Sequence, residues 1–236
     1  MLKIFVEIKG KMLEGVFKER LTRFSAVVRV DGKNVQCFLP NPGRLRELLV
    51  SDAKVLLRES GSARNRKTVY DIIGVYDGDM VVSIDSRVPN CLVFEALKNE
   101  GLPEFVGYKE IKPEYSYGGV RFDFFLKGGC LKPCFLEVKS CTLVRDGIAI
   151  FPDAPTKRGA RHALELAKAI EEGYRATVIF VVQRGDARVF VPNDEMDPFF
   201  GRALRKAAER GVEIYAYSAS FTRYKIVLGG KVKVSL

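Results

Sequence analysis

The sequence predicts a small β-barrel followed by an α/β domain that is built on a mixed sheet. Two patterns, one in each half of the chain, support this prediction. The first 85 residues contain short strand-like segments between polar turns, and from about residue 90 amphipathic helical segments alternate with strands. A chain of 236 residues is long enough for two such cores. We therefore expect one domain at residues 1–85 and a second at residues 86–236.

The predicted barrel begins with three strands, continues through a helical segment and ends with further strands. Its turns contain the Asp-Gly pairs of tight hairpins, in VDGKN (30–34) and YDGD (76–79). The helical segment is NPGRLRELL (41–49), whose leucines fall on one face. This order is that of a five-stranded OB-type barrel. The candidate strands are Met12–Glu19, Phe24–Val30, Val35–Phe38, Lys54–Glu59 and Val69–Tyr76, followed by Met80–Ile84.

Two predicted loops of the barrel are rich in basic residues. OB-type barrels bind nucleic acid with the loops between strands 1 and 2 and between strands 4 and 5. Lysine and arginine also solvate exposed loops in most proteins, so the charge alone has a second interpretation. Because both loops are basic where the fold requires it, we expect DNA contacts from Arg20, Arg23, Arg64, Arg66 and Lys67.

The second domain is predicted to alternate helices and strands. Its first helix is NCLVFEALKNEG (90–101), with Asn90 as the cap and Gly101 as the stop. The apolar strand ATVIFVVQ (176–183) indicates a sheet that is covered on both faces. The remaining predicted elements are strands at 111–117, 120–126, 134–143 and 213–221 and helices at 156–173 and 197–211.

Two adjacent strands of this domain carry three charged residues that can meet at one point. In FLEVKS (135–140), strand alternation places Glu137 and Lys139 on the same face. Asp123 is the acid of the preceding strand, RFDFFL (121–126). The alternative interpretation is an ordinary Glu–Lys ion pair on a partly exposed strand.

These residue types suit metal-dependent phosphodiester hydrolysis. Two carboxylates hold Mg²⁺ or Mn²⁺, which polarises the phosphate and lowers the pKa of a bound water. The lysine orients that water or stabilises the charge that develops on the phosphate. We expect Asp123, Glu137 and Lys139 to be catalytic, and a metal ion to be held by Asp123, Glu137, the Val138 carbonyl and Glu95.

The arrangement resembles the PD-(D/E)xK nuclease family, with Phe122–Asp123 in place of Pro-Asp. A Glu-x-Lys pair is frequent by chance, but here it follows a helix, a hairpin and an acid-bearing strand, as in the core of those nucleases. Two longer motifs, LPNPGRLRELL (39–49) and FPDAPTKRGARHALEL (151–166), resemble the sugar fermentation stimulation protein family over nearly the whole chain. That resemblance implies a DNA-binding protein with an OB domain and a nuclease-like domain.

The family resemblance also draws attention to the start of the helix at 156–173. Thr156 is predicted to cap it, and Arg158 and His162 lie one turn apart on its first exposed face. A helix N-terminus and cationic side chains both favour phosphate. His162 is expected to touch phosphate or carry a proton, although a lone histidine is also common as a structural residue. DNA contacts are expected from Arg44, Lys157, Arg158, Arg161 and His162.

Charge and composition indicate the kind of partner. A net charge of +10 favours a polyanion, and we expect DNA, single- or double-stranded. No apolar run has the length of a membrane-spanning helix and the first residues lack the pattern of a signal peptide, so we expect a cytoplasmic protein without membrane contact. Cys130 and Cys134 have a spacing that suits a metal, but without a second pair nearby, packing explains them better.

The C-terminal segment KIVLGGKVKVSL (225–236) is predicted as a hairpin that covers a sheet edge or pairs with another copy in a homodimer. Two functions follow from all these patterns. The first is a Mg²⁺-dependent nuclease that cleaves DNA with little sequence specificity. The second, which the family's name favours, is a non-catalytic DNA-binding regulator of sugar-utilisation genes.

Overall fold

The protein is represented by a computed structural model that describes residues 3–60, 68–222 and 224–236. The helices in these ranges are α1 (Val88–Lys98), α2 (Lys157–Glu171) and α3 (Pro198–Glu209), with a 3₁₀ turn at Pro103–Phe105. The strands are β1 (Phe5–Glu7), β2 (Met12–Thr22), β3 (Ser25–Val30), β4 (Lys33–Phe38), β5 (Lys54–Glu59), β6 (Tyr70–Asp77), β7 (Met80–Ser83), β8 (Glu110–Tyr117), β9 (Val120–Lys127), β10 (Cys134–Cys141), β11 (Val144–Arg145), β12 (Ile148–Phe151), β13 (Arg175–Val182), β14 (Val189–Pro192), β15 (Glu213–Thr222) and β16 (Lys225–Val234).

The first half forms a closed barrel, as the sequence predicts. Five strands pair in the order β4-β3-β2-β5-β6, and a bridge between Phe38 and Asp71 closes the ring. β7 extends the hairpin that begins with β6. Because alternate residues point inward, apolar side chains such as Val28, Val55 and Ile72 fill the interior. The OB-type barrel is therefore confirmed.

The prediction of a helix at 41–49 is wrong, because these residues form turns and bends. Leu45 has a φ of 52°, in the left-handed region, which interrupts a right-handed helix. Its backbone N–H donates instead to Asp153 Oδ2 in the second domain, at 3.1 Å. Leu45 and Leu48 are nevertheless buried in the barrel core, so the segment keeps its apolar anchor without the helix.

The second half is built on one long mixed sheet with the order β11-β12-β14-β16-β15-β13-β10-β9-β8. β10, β13 and β15 run parallel at its centre, while β9 is antiparallel to β10. α2 and α3 pack on one face through residues such as Leu166 and Leu204. The other face is covered by α1 together with two barrel residues, Leu56 and Ile73. Since both faces are covered, the central strand β13 is almost wholly apolar, as predicted.

The predicted C-terminal hairpin is also wrong. Lys225–Val234 is one strand that pairs with β15 on one side and with β1 and β14 on the other. Gly229 lies inside this strand because a Cβ there would approach Ser218 Oγ to 2.3 Å. Gly229 therefore allows close contact between strands, and neither Gly229 nor Gly230 forms a turn. The homodimer stays a prediction. The C-terminal strand does not offer a free edge for pairing with another copy, because it is paired on both sides.

The two halves are joined by β1 and by hydrogen bonds across their junction. β1, which precedes the barrel, pairs with β16 of the long sheet. The Ser83 hydroxyl at the end of β7 donates to Gln183 Oε1 at 2.8 Å, and Gln183 Nε2 donates to Ser140 Oγ at 2.9 Å. The barrel is thus held directly against the strand that carries FLEVKS.

Among the residues that the structure describes, no helix is long and apolar enough to cross a membrane.

Candidate active site at the domain junction

The alternation that was predicted for β10 is observed. Phe135 packs in the cluster beneath α2 and α3, whereas Leu136 and Val138 pack in the cluster beneath α1. Glu137 and Lys139 therefore lie on the same face as Phe135. At this end of the strand the apolar cover stops, and the two charged side chains border a cleft.

Asp123 lies beside Glu137 because of the register between β9 and β10. The paired residues of the ladder end at Leu136 opposite Phe124, and one further step places Asp123 opposite Glu137. There the strand ladder gives way to a side-chain contact, in which the Val138 N–H donates to Asp123 Oδ2 at 2.7 Å. The structure thus brings Asp123, Glu137 and Lys139 together, as the sequence predicts.

Glu137 is almost completely buried, and one of its two oxygens has cationic or polar neighbours. Lys139 Nζ donates to Glu137 Oε1 at 2.5 Å, and His162 Nδ1 lies 2.8 Å from the same oxygen. Within the described part of the chain, Glu137 Oε2 is buried and has no hydrogen-bond partner. A buried carboxylate oxygen without a partner lowers the stability of the fold unless a ligand binds it, because burial removes its hydrating water.

His162 is a buried residue of the site and does not lie on an exposed face of α2, so the prediction of its position is wrong. It is 1% exposed, and its ring contacts Phe122 edge to face. Arg158 Nε donates to His162 Nε2 at 3.3 Å, and His162 Nδ1 faces Glu137 Oε1 without the alignment of a hydrogen bond. In this position His162 packs against Glu137 and is shielded from solvent.

The two carboxyl groups of the site have pKa values displaced in opposite directions. Burial raises the pKa of Asp123 to about 6, and the nearby charge of Glu137 adds to this effect. Burial also opposes ionisation of Glu137, but Lys139 and His162 outweigh it and hold the pKa of Glu137 below its usual value. At neutral pH both groups are ionised, which is the state that binds a cation.

The cleft that these residues border has a volume of about 390 Å³ and is formed by both domains. The barrel side contributes Arg23 and the loop Asn41–Gly43, and the sheet domain contributes the acid–acid–lysine group together with Arg158 at the start of α2. The loop is held in place by Asn41, whose Nδ2 donates to the Ile84 carbonyl at 2.8 Å. These charged groups therefore face a space that neither domain encloses alone.

Asn90 is a site residue that the sequence interpretation missed. It lies in the first turn of α1, and its Nδ2 donates to Asp123 Oδ1 at 2.7 Å. The prediction that Asn90 caps this helix is wrong, because Arg87 occupies the N-cap position. Glu95, predicted as a metal ligand, does not line the cleft, and its Oε2 lies 3.4 Å from Asn99 Nδ2. The signal for Asn90 in the sequence was a polar amide side chain at the start of a helix that is otherwise apolar there.

The donor set fits a hard divalent cation in part. Asp123, Glu137 and the Val138 carbonyl supply oxygen, the ligand type that Mg²⁺ and Mn²⁺ prefer, and the unpartnered Oε2 of Glu137 is the observation that favours a ligand here. Among the described residues no group of three or more His, Cys, Asp or Glu side chains surrounds one point. Mg²⁺ usually keeps several waters, so two carboxylates and one carbonyl are a sufficient protein contribution.

Apart from the buried His162, the residues that were predicted to bind DNA fall into three groups. Arg20 is structural, because its five N–H groups donate to the carbonyls of residues 22, 23, 41, 43 and 44 and leave none for a phosphate. Three predicted residues, Arg64, Arg66 and Lys67, lie outside the described residues. The exposed residues around the cleft and the start of α2 are Arg23, Arg44, Lys157, Arg158 and Arg161.

The start of α2 has the predicted cap. The Thr156 hydroxyl accepts a hydrogen bond from the Gly159 N–H at 3.0 Å. The Thr156 N–H in turn donates to Asp197, which caps α3 through the Phe200 N–H. One carboxylate therefore fixes the starts of both helices, and with them the position of Arg158 at the cleft.

Fold and site together define a two-domain protein in which a closed OB-type barrel is joined to a mixed-sheet domain with an acid–acid–lysine group at the junction. Family models match both parts: residues 19–84 match the SfsA N-terminal OB domain, and residues 87–225 match the sugar fermentation stimulation protein RE domain. The chain belongs to the sugar fermentation stimulation protein family.

Relatives match the chain along nearly its whole length. A sugar fermentation stimulation protein homolog of Caldanaerobacter subterraneus subsp. tengcongensis is 46% identical, over 97% of this chain and 99% of the relative. The homolog of Moorella thermoacetica is 42% identical over 98% of this chain and 100% of that protein. Among solved structures, Pyrococcus furiosus SfsA in complex with Ca²⁺ matches with a TM-score of 0.91 and 28% identity, over 100% of both chains.

Proposed function

We propose that this protein is a divalent-metal-dependent nuclease that hydrolyses phosphodiester bonds of DNA with little sequence specificity. The observation that carries the proposal is the convergence of Asp123, Glu137 and Lys139 on one wall of an open cleft, with Glu137 Oε2 buried and unpartnered among the described residues. An ordinary surface ion pair does not require a second acid, a buried histidine and an open space beside it.

Asp123, Glu137 and the Val138 carbonyl would hold the cation, Mg²⁺ or Mn²⁺. When bound, it polarises the phosphate and lowers the pKa of water, which makes hydroxide available at neutral pH. The solved relative from Pyrococcus furiosus is described as a complex with Ca²⁺, another hard divalent cation that takes oxygen ligands. That description concerns the relative, and it supports a cation site of the same chemical type in this chain.

The chain's own residues orient the groups that hydrolysis requires. Asn90 and the Val138 N–H hold the two oxygens of Asp123, and His162 holds Glu137. Lys139 places a positive charge on the cleft wall, where it stabilises the negative charge that develops on phosphate. In the reaction water adds to phosphorus, one P–O ester bond breaks, and the water's proton reaches the departing alkoxide. The products are a phosphate monoester and a hydroxyl end.

DNA is the substrate class that the charge distribution favours. The protein carries a net charge of +10, and Arg23 and Arg158 line the cleft. Further exposed cations lie beside these two in the sequence of the loop at 41–44 and of the start of α2, at Arg44, Lys157 and Arg161. Cations of this kind neutralise phosphates without reading bases. We therefore expect affinity to depend steeply on salt and only weakly on sequence.

The test is an assay of purified protein with single-stranded and duplex DNA in Mg²⁺ or Mn²⁺. We expect cleavage by the parent protein and at least a hundredfold loss in Asp123→Asn and Glu137→Gln, since each removes a ligand charge. Glu95→Gln is the matched control, because Glu95 is an acid of α1 that does not line the cleft, and it should retain activity. Cleavage that persists in Asp123→Asn would refute the assignment.

A non-catalytic DNA-binding regulator is the second candidate. Among the described residues no group of three or more His, Cys, Asp or Glu side chains is placed to hold a metal ion, and this favours the regulator. Binding of Mn²⁺ measured by calorimetry separates the two candidates without reference to activity. The nuclease requires a Mn²⁺ site that disappears in Asp123→Asn, whereas a regulator that lacks the site would bind DNA equally well with and without metal.

A further inference from the structure

The tip of the hairpin between β2 and β3 exposes two large apolar side chains next to the cleft. Leu21 is 47% exposed and Phe24 is 46% exposed. The guanidinium of Arg23 lies 5.6 Å from the centre of the Phe24 ring, as in a cation–π contact. An exposed aromatic ring with an arginine beside it is the pair of side chains that single-strand-binding proteins use for a base and its phosphate.

The tip is held rigidly by Arg20. The Arg20 guanidinium donates to the carbonyls of Thr22 and Arg23 within the tip and, on its other edge, to the Gly43 carbonyl at 2.6 Å. The Phe24 N–H also donates to Thr22 Oγ1 at 3.2 Å. The backbone at Phe24 is therefore held in place, so binding a ligand there costs little ordering of the main chain.

The tip adjoins the proposed reaction site. Arg23 lines the same cleft as Asp123, Glu137 and Lys139, and it is the residue immediately before Phe24. Because the Arg23 guanidinium lies 5.6 Å from the centre of the Phe24 ring, a backbone that enters the cleft beside Arg23 comes within reach of that ring. In a duplex the bases are stacked and paired, so a ring outside the helix reaches a base only where the strand is unpaired.

We propose that Phe24 stacks on an unpaired base of the DNA strand whose backbone occupies the cleft, with Arg23 at the adjacent phosphate. The inference rests on the proposed function for the strand in the cleft and specifies its substrate: DNA with a single-stranded segment beside the scissile phosphate. Two exposed apolar side chains form a patch far smaller than a protein interface requires, whereas one ring matches one base.

The test measures binding in EDTA, so that hydrolysis plays no part. A fluorescent single-stranded 12-mer and the blunt duplex of the same sequence are titrated with the parent protein, Phe24→Ala and Phe24→Tyr, and affinity is read from anisotropy. The matched control is Phe5→Ala, because Phe5 is 38% exposed, has Lys225 Nζ 3.8 Å from its ring centre and does not line the cleft.

We expect Phe24→Ala to weaken binding of the single strand by about fivefold or more, the factor that corresponds to one lost base stack. Phe24→Tyr should stay within about twofold of the parent protein because it keeps the ring, and Phe5→Ala should have no effect. Duplex affinity should be unchanged in all variants, since phosphate contacts carry it.

Three results would overturn the inference: unchanged single-strand affinity in Phe24→Ala, an equal loss for the single strand and the duplex, or the same loss in Phe5→Ala. None of these depends on cleavage. Failure of the nuclease assignment appears separately, as absence of hydrolysis by a parent protein that binds the single strand through Phe24.

Discussion

His162 Nδ1 lies 2.8 Å from Glu137 Oε1, and this contact joins α2 to the strand that carries the proposed catalytic group. On the far side of the ring, Nε2 accepts a hydrogen bond from Arg158, which lines the cleft. A substrate phosphate that binds Arg158 is therefore only two contacts away from the carboxylate that would hold the metal. The only histidine of the chain is a positioning residue in this arrangement.

Replacement of His162 should affect both stability and metal affinity. We expect His162→Ala to lower the free energy of unfolding by about 2–4 kcal/mol, because it leaves a cavity and removes a partner of buried Glu137. Mn²⁺ affinity should fall as well, since the pKa of Glu137 rises without His162. His162→Gln keeps a donor and should recover part of both. Equal Mn²⁺ affinity in His162→Ala and the exposed control Lys157→Ala would contradict the positioning role.

The raised pKa of Asp123 predicts a pH dependence in the metal-free protein. Because its pKa is about 6 in the folded protein and 3.8 ordinarily, Asp123 contributes stability below about pH 4 that is lost as pH rises through 6. The loss is on the order of 2–3 kcal/mol. Asp123→Asn does not titrate. In urea denaturation with EDTA, the parent protein should therefore lose stability relative to this variant between pH 4 and pH 7; a constant difference would rule out the displaced pKa.

Asn90 should matter for metal binding more than for folding. Its Nδ2 holds Asp123 Oδ1 at 2.7 Å, and Asn90→Ala leaves that oxygen without its partner. We expect about a tenfold loss of Mn²⁺ affinity, the size typical for a residue that orients a metal ligand. Asn99→Ala, at the exposed C-terminal end of the same helix, is the control and should bind Mn²⁺ normally. Calorimetry on both variants decides the matter.

Arg20 should be sensitive even to lysine. Five carbonyls accept hydrogen bonds from its guanidinium, and an ammonium on a flexible stem satisfies at most three of them. We expect Arg20→Lys to lower the free energy of unfolding by about 1–3 kcal/mol. The exposed residue Arg29 of β3 offers the matched change, and Arg29→Lys should be neutral. Identical denaturation midpoints for the two variants would show that Arg20 is dispensable.

The exposed cations at the start of α2 should determine part of the salt dependence of DNA binding. Each phosphate contact contributes about 0.9 to the slope of log affinity against log salt for duplex DNA. The double variant Lys157→Glu, Arg161→Glu should flatten this slope by about two, whereas Lys168→Glu, an exposed change at the other end of α2, should leave it nearly unchanged. If both proteins give the parent slope, DNA lies on a different surface.

Local patterns in the sequence predict those parts of the site that depend on neighbouring residues. The shared face of Glu137 and Lys139 follows from the two-residue repeat of a strand, and the Thr156 cap follows from the three-residue reach of its hydroxyl. The position of Asp123 requires only that consecutive strands pair with the register that is observed.

Features that depend on distant residues are not predictable in this way. Leu45 adopts a left-handed backbone and donates to Asp153, which is 108 residues away, so the helical pattern of leucines at 41–49 is overridden by tertiary contacts. The structural role of Arg20 requires the loop at 41–44 to fold over the barrel tip, and no local signal distinguishes it from Arg23. Asn90 reaches Asp123 only because α1 packs across β9 and β10.

Gln183 has a consequence for anyone who wishes to use the barrel as a detachable tag. Its amide joins Ser83 of β7 to Ser140, the neighbour of Lys139, while Leu56 and Ile73 of the barrel complete the apolar layer over the long sheet. Dividing the chain near residue 85 would leave each fragment with an exposed apolar surface and without the hydrogen bonds that Gln183 makes across the junction. Such fragments should aggregate when expressed alone, so exchanging barrels between members of this family requires grafting loops onto an intact chain.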